Sequence, residues 1–255
     1  MTNKYIISPY YLDEHVPGLE ILANAGWLFN KPSLPDRDTQ GRMSIIHRGI
    51  TPLVEETVRD GERPVVISGD CCITTGVLAG LQRAGIDPAL VWFDAHGDFN
   101  TWETTPSGFL GGMPLAMLVG LGEQRMPLAA GQRSLPEEQV ILTDARDLDT
   151  GEKTLLEASK VHLLKDVFDL LEYQLPDRPL YVHFDTDVID PADAPAMNYP
   201  APGGPSASKL KAVFQHLANS ADIVAVSVSS WNPELDEDNR TQQICIDALK
   251  SLIDE

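Results

Sequence analysis

The sequence is poor in positive charge, since 19 Lys and Arg residues stand against 38 Asp and Glu residues, a formal net charge of −19. A surface this acidic repels nucleic acid and anionic membranes, so neither is expected as a partner. The chain also lacks any apolar run long enough to span a membrane. Its N-terminus, MTNKYIISPYYLDEHVPG, has no apolar core of the kind that a signal peptide carries.

Cysteine is equally scarce, with only Cys71, Cys72 and Cys245 in the chain. The number is odd and two of the residues are neighbours, which excludes a disulfide framework of the secreted type. The expected location is therefore a reducing cytoplasm.

Short apolar runs alternate with helical patterns along the whole chain, whose 43% hydrophobic and 22% charged residues are typical of a globular protein. The predicted strands are Lys4–Ser8, Pro64–Ser68, Leu90–Phe93, Val140–Leu142, Lys160–Leu163, Pro179–Phe184 and Asp222–Ser229. The predicted helices are Ser44–Arg59, Thr74–Ala84, Met113–Val119, Val167–Tyr173, Ser206–Ala218 and Thr241–Ile253. This alternation predicts one α/β domain over residues 1–255, with a mostly parallel sheet between helices.

Acidic residues are concentrated where two of the predicted strands end. Asp94, His96 and Asp98 follow one strand, and Asp185 and Asp187 follow another. Because side chains alternate along a strand, each set can share one face. Carboxylates crowded at a sheet edge would repel one another, and a divalent cation removes that cost. Mostly oxygen donors with one imidazole favour Mn²⁺ or Mg²⁺ over a structural zinc.

Three stretches, in order, carry a resemblance to a known family. DAHGDFNT and FDTDVIDPADAP resemble the patterns D-A-H-x-D and S-x-D-x-D-x-x-D-P-x-x-A-P of the arginases, agmatinases and formimidoylglutamases, the ureohydrolases. The earlier stretch SGDCC is similar to their G-G-D-H-S. The resemblance runs from about Pro64 to Pro233 and implies a three-layer α/β/α arginase-like fold. It also implies a site for two Mn²⁺ ions at the carboxyl edge of the sheet, and commonly a homotrimer or homohexamer.

The resemblance implies two sets of metal ligands that share Asp94 and Asp185. One ion would be bound by Cys71, Asp94, Asp98 and Asp185, and the other by Asp94, His96, Asp185 and Asp187. Two cations on one water lower its pKa, and the resulting hydroxide would attack the trigonal carbon of a guanidino or amidino group. The catalytic residues would be His96, as a ligand, and Asp98, which would orient the water and pass its proton to the leaving amine.

Cys71 stands where this family has a metal-binding histidine, and three interpretations remain open. It binds metal as a thiolate with an altered metal preference, it is a neutral neighbour of a loosely held ion, or it is a small buried residue in a site that no longer works. We interpret Cys72 and Cys245 as core residues and Asp190 as a turn cap. His183 could support a ligand, but we favour an ordinary hydrogen-bonded interior histidine.

Four further positions match those that bind an amino acid substrate in the arginase branch. Asn100 and Ser107 match the residues that grip the α-carboxylate, and Asp149 and Glu152 match residues near the α-amino group. Turn and helix-cap chemistry is the alternative explanation for all four, since these residue types favour such positions. Their common spacing favours an α-amino acid substrate.

Two expected groups are missing on the substrate side. Gly111 replaces a histidine that takes part in proton transfer, and Ser230 stands where a glutamate would pair with the guanidinium. Since a carboxylate–guanidinium pair is a strong contact, ordinary arginase activity is not expected. A less basic substrate such as Nω-hydroxyarginine is favoured, with Ser230 as its contact. The alternative is a non-catalytic binding or regulatory protein with a degenerate metal site, but the complete carboxylate set favours a metal-dependent C–N hydrolase.

Overall fold

A computed structural model of the chain describes residues 1–253, which form helices around a parallel sheet. The strands are β1 (Thr2–Ser8), β2 (Tyr10–Tyr11), β3 (Glu14–His15), β4 (Leu28–Phe29), β5 (Glu62–Ser68), β6 (Ala89–Phe93), β7 (Val140–Thr143), β8 (His162–Leu164), β9 (Leu180–Asp185) and β10 (Ile223–Ser229). The α-helices are α1 (Thr39–Arg59), α2 (Thr74–Arg83), α3 (Pro114–Leu118), α4 (Arg125–Ala130), α5 (Thr150–Ala158), α6 (Ala207–Ser220) and α7 (Arg240–Ile253). All the predicted strands are present.

The main sheet has eight strands in the order β4-β1-β5-β10-β9-β6-β7-β8, and every pair in it is parallel. A short antiparallel hairpin of β2 and β3 stands apart. Strand β10 comes late in the chain yet pairs between β5 and β9. The carboxyl ends of β5, β10, β9 and β6 therefore lie side by side, where an open α/β sheet places a binding site.

The two faces of the sheet bury separate apolar clusters. On one face, Phe184 of β9 packs edge-on against Phe214 of α6, with ring centroids 5.1 Å apart, and α7 adds Leu249. On the other face, Ile50 of α1 and Val77 of α2 pack over the sheet. These two covered faces confirm the predicted three-layer α/β/α arrangement.

Three helical segments differ from the prediction. Val167–Tyr173 is not an α-helix but a short 3₁₀ helix over Val167–Leu171. Asp166 and Asp169 cap each other's backbone there, which closes the segment within one short turn. Conversely, α4 and α5 were not predicted, although Asp149 and Glu152 form a capping box at the start of α5.

Candidate metal centre and substrate pocket

A pocket of about 200 Å³ opens at the carboxyl edge of the sheet. It is built where β5 leads to Cys71, β6 to Asp94, β9 ends at Asp185, and β10 leads to Ser230. The predicted site residues that line it are Cys71, His96, Asp98, Asn100, Ser107, Asp149, Glu152, Asp185, Asp187 and Ser230. Asp94 lies directly behind them. The structure thus brings all the predicted site residues together.

Four aspartates of this site are almost fully buried: Asp94, Asp98, Asp185 and Asp187 are 1%, 6%, 2% and 4% exposed. Local hydrogen bonds fix their orientation. Asp94 accepts from Trp92 Nε1 at 2.9 Å and from the His96 backbone N–H at 2.7 Å. Asp185 accepts from the Asp187 backbone N–H at 2.9 Å. The strand-to-loop turns therefore hold the carboxylates close together before any ion binds.

His96 is the positive group nearest to these carboxylates. Its Nδ1 lies 3.1 Å from Asp187 Oδ2 and 3.4 Å from Asp94 Oδ1. Burial opposes the charged form, but the hydrogen bonds and charges of Asp187 and Asp94 raise the pKa of His96 to about 12. The imidazolium proton thus occupies the space between two carboxylates that a divalent cation would use.

Unlike Asp94 and Asp187, Asp98 forms no ion pair with His96. Its backbone adopts a φ of +50°, an unusual conformation for a residue other than glycine. Leu115 and Ala116 donate their backbone N–H groups to its carbonyl, which holds it there. Its Oδ2 is buried without a hydrogen-bond partner. Burial, and then the charge of Asp94, raise the pKa of Asp98. An orphaned buried carboxylate of this kind is the donor that a missing cation would satisfy.

Cys71 contacts the carboxylate of Asp185. Its thiol donates to Asp185 Oδ2 at 2.6 Å and lies 3.1 Å from Ser229 Oγ. Burial, and then the charge of Asp185, raise the pKa of this thiol well above its usual value. Without a cation, Cys71 is therefore a neutral thiol. The thiol proton stands where a cation could bridge sulfur and oxygen.

The donor atoms form three overlapping sets, each with its members within 4.8 Å of one another. The sets are Cys71, Asp94 and Asp98; Asp94, His96 and Asp187; and Cys71, His183 and Asp185. Among residues 1–253, no Lys or Arg forms an ion pair with the four buried aspartates. The excess negative charge and the donor geometry both fit two divalent cations.

The predicted substrate residues are partly engaged with one another. Asn100 Nδ2 donates to Asp149 Oδ2 at 3.0 Å. Glu152 is buried, and its carboxylate accepts backbone N–H groups from Phe99 at 2.9 Å and from Asp149 at 3.2 Å. The helix-cap alternative therefore describes Glu152 in this structure, although it also lines the pocket.

Ser230 points at a carboxylate as well as into the pocket. Its φ is +72°, and its hydroxyl donates to Asp185 Oδ2 at 2.5 Å. This hydroxyl is thus tied to a proposed metal ligand, where an acidic side chain would have added yet another negative charge. At Ser230 the wall of the pocket beside Asp185 therefore carries no charge.

An aromatic rim around the pocket was not predicted from the sequence. Tyr11, Phe109 and Tyr199 contact one another, with centroids 6.5 Å apart for Tyr11 and Phe109 and 5.4 Å for Phe109 and Tyr199. A Cβ atom at Gly111 would lie 2.5 Å from two ring carbons of Phe109. Phe109 therefore fills the space into which a larger residue at 111 would point. A phenylalanine in the glycine-rich stretch SGFLGG was the sequence signal.

Three other residues lie as expected. Cys72 is buried in an apolar cluster with Met43 and Met113, and Cys245 is buried in the core beside α6. Both are confirmed as core residues. Asp190 accepts the backbone N–H groups of Ala192 and Gly203, which confirms it as a turn cap.

An α/β/α sandwich with a carboxylate-rich cation pocket at the carboxyl edge of its sheet has the features of a metal-dependent hydrolase. Comparison with known proteins identifies the family. The Arginase family model matches residues 32–253. The chain is 31% identical to the arginase of Bacillus subtilis over 212 residues, covering 78% of this chain and 72% of that enzyme. The chain belongs to the arginase family.

Two further relatives extend the comparison. An Nω-hydroxy-L-arginine amidinohydrolase of Streptomyces lavendulae is 26% identical over 253 residues, covering 96% of this chain and 84% of that protein. The crystal structure of the arginase of Bacillus caldovelox superposes with a TM-score of 0.84 at 26% identity, covering 100% of this chain and 99% of that one.

Family membership and the complete carboxylate set make the chain a metal-dependent hydrolase of C–N bonds in guanidino compounds. This favours an enzyme over the non-catalytic alternative. No helix in the described part of the chain is long and apolar enough to cross a membrane.

Replacing Asp185 by Ala should abolish tight binding of divalent cations. Asp185 contacts Cys71, and the family resemblance implies that it is a ligand of both ions, so its loss should leave the remaining donors too few to hold either ion tightly. Metal analysis after loading and dialysis measures this. Asp190→Ala, which removes a turn-capping carboxylate nearby, is the control. Full metal content in the Asp185 variant would refute the assignment.

The pH dependence of stability should report on Glu152. Burial raises its pKa from 4.5 to about 7, although the hydrogen bonds from Phe99 and Asp149 oppose this. Between those two values the folded state binds more protons than the unfolded state, so stability falls as the pH rises from 4.5 to 7. In metal-free protein, Glu152→Gln should remove roughly 1–3 kcal/mol of the stability lost between pH 5 and pH 8.

Urea unfolding of both proteins at the two pH values measures the difference. Glu157→Gln, an exposed glutamate on the same helix, is the matched control and should keep the wild-type slope. A Glu152→Gln slope equal to that of the control would show that Glu152 ionises normally.

Proposed function

We propose that this enzyme hydrolyses an arginine-like amino acid with a weakly basic, modified guanidine, and that Nω-hydroxyarginine is its substrate. The observation that carries this proposal is Ser230, a neutral hydroxyl tied to Asp185, at the position where the resemblance expects a glutamate. A charged guanidinium needs a carboxylate partner when it is desolvated, whereas a less basic hydroxyguanidine does not.

Two of the relatives bear on the choice of substrate. Identity is higher to the Bacillus subtilis arginase, at 31%, but that match covers 78% of the chain. The match to the Nω-hydroxy-L-arginine amidinohydrolase covers 96% of the chain at 26% identity. The shared α-amino acid part of both substrates agrees with the retained Asn100, Ser107, Asp149 and Glu152.

In this proposal, these residues bind different groups of the substrate. Asn100 and Ser107 offer donors for an α-carboxylate, and Asp149 offers an acceptor for the α-ammonium group at the outer part of the pocket. The aromatic rim of Tyr11, Phe109 and Tyr199 narrows the entrance and excludes water from it. The substrate is thereby oriented with its guanidino carbon toward the buried carboxylates.

The cations proposed for the site are Mn²⁺ at the oxygen-rich position of Asp94, His96 and Asp187, and a second divalent ion near Cys71. Bound there, they would lower the pKa of a shared water. The unpartnered Oδ2 of Asp98 is placed to accept the proton of that water and to return it to the leaving nitrogen. The bond between the guanidino carbon and the chain nitrogen breaks, which gives ornithine and hydroxyurea from Nω-hydroxyarginine and water.

We also propose a cellular location and an oligomeric state for the enzyme. The three free, buried cysteines favour the reducing cytoplasm. A homotrimer or homohexamer is proposed from the resemblance to the ureohydrolases.

The test is a comparison of Nω-hydroxyarginine, arginine and agmatine with the manganese-loaded enzyme, following hydroxyurea and urea. The missing charged pair is worth about 1.5–3 kcal/mol, so kcat/KM for arginine should be roughly 10- to 100-fold lower than for Nω-hydroxyarginine. The Asp185→Ala variant provides the inactive blank. Equal or better use of arginine would contradict the proposal.

Replacing Asp149 by Ala should mainly raise KM for the amino acid substrate. Its carboxylate would contact an ammonium group distant from the reacting bond, equally in ground and transition states. Because Asp149 also caps α5, a thermal melt must accompany the kinetics. Glu157→Ala on the same helix is the control. An unchanged KM would exclude Asp149 from substrate binding.

A further inference from the structure

His183 is a buried histidine directly beneath the metal site. It lies two residues before Asp185 on β9, on the same face of the strand, and is 0% exposed. Its ring packs against Trp92 with centroids 4.0 Å apart. Trp92 in turn donates to Asp94, one of the clustered carboxylates. His183 therefore belongs to the buried layer of side chains that supports the clustered carboxylates from the interior.

Hydrogen bonds fix how the imidazole is turned. Nδ1 lies 2.7 Å from Ser227 Oγ, which in turn lies 2.7 Å from the hydroxyl of Tyr181. Nε2 has only a long contact of 3.4 Å with Ser229 Oγ, and that hydroxyl lies 3.1 Å from Cys71 Sγ. One ring nitrogen is thus anchored, while the other lies beside a hydroxyl that contacts the thiol. A histidine that binds a metal is typically held by its second nitrogen in this way.

The sequence departs from the ureohydrolase patterns at two facing positions. Cys71 stands in place of the histidine of G-G-D-H-S, and His183 stands in place of the serine of S-x-D-x-D. In the structure the donor atoms of Cys71, His183 and Asp185 all lie within 4.8 Å of one another. Compared with those patterns, the chain lacks an imidazole at position 71 and has one at position 183.

We propose that Cys71, His183 and Asp185 bind one of the two cations through sulfur, nitrogen and oxygen. Such a set suits Zn²⁺ or Co²⁺ better than Mn²⁺, because thiolate and imidazole are softer ligands than carboxylates. The inference rests on the proposed function only in placing a cation in this pocket.

Binding requires one chemical change in the protein. The thiol proton that Cys71 now donates to Asp185 leaves to solvent, and the sulfur and the oxygen both bind the cation. The neighbouring set of Asp94, His96 and Asp187 contains no sulfur and keeps its preference for harder ions. The enzyme would then hold two chemically different cations side by side.

The test uses one equivalent of Zn²⁺ or Co²⁺ added to the metal-free full-length protein, without substrate. X-ray absorption at the zinc edge should show one sulfur at about 2.3 Å together with imidazole scattering. Cobalt should give a thiolate charge-transfer band. Cys71→Ser should lose the sulfur signal, and His183→Ser should lower the affinity for Co²⁺ by about tenfold or more.

Two control variants each remove a buried thiol or a buried imidazole that lies outside the proposed metal site. Cys245→Ser and His47→Gln alter other buried residues and should bind cobalt as the wild type does. If His183→Ser matches His47→Gln in affinity and spectrum, His183 is an interior residue only and the proposal is wrong.

A double variant keeps the test valid if a single variant fails to fold. Cys71→His with His183→Ser introduces the histidine and the serine of the ureohydrolase patterns at similar total volume, and should shift preference from Zn²⁺ toward Mn²⁺ by about tenfold or more. An unchanged zinc preference would overturn the proposal. Since no substrate is used, failure of the enzyme to hydrolyse Nω-hydroxyarginine would leave these measurements unaffected.

Discussion

Mutual repulsion among four buried carboxylates is the constraint on which the rest of this structure depends. Asp94, Asp98, Asp185 and Asp187 meet at the edge of a parallel sheet with His96 as their ion-pair partner in the described residues. Burial alone would drive some of them to hold a proton, as the raised pKa values of Asp98 and Asp185 indicate. Divalent cations relieve this repulsion, so the same feature that destabilises the empty site makes it an effective metal centre.

Where this chain departs from the ureohydrolase patterns, other side-chain contacts compensate for the change. Phe109 fills the volume beside Gly111, and the hydroxyl of Ser230 binds a carboxylate where a glutamate would have repelled it. A site that had simply decayed would show gaps and unpaired groups at each lost position. This one has closed them, and it keeps all of its carboxylates. The pattern agrees with a working hydrolase of guanidino compounds rather than with loss of function.

Much of the fold was predictable because it follows from local patterns. Apolar runs ending in acid located the strand ends, and the period of two put Asp94 with His96 and Asp98, and Asp185 with Asp187, whereas the sharing of Asp94 and Asp185 between two ions came from the resemblance to the ureohydrolases. The helix over Thr150–Ala158 was missed because its capping residues, Asp149 and Glu152, were interpreted as substrate contacts. The aromatic rim and the approach of His183 to Cys71 could not be predicted, since each joins residues far apart in sequence through strand order.

The central claim is that this pocket holds two cations bound by the buried aspartates. Anomalous diffraction from crystals soaked with Mn²⁺ and Zn²⁺, with data collected at both metal edges, tests it most directly. The account predicts two peaks in the pocket, one beside Asp94, His96 and Asp187 and one beside Asp185 and Cys71, with the zinc signal strongest beside Cys71. A single peak distant from Asp185, or no peak in the pocket at all, would contradict it.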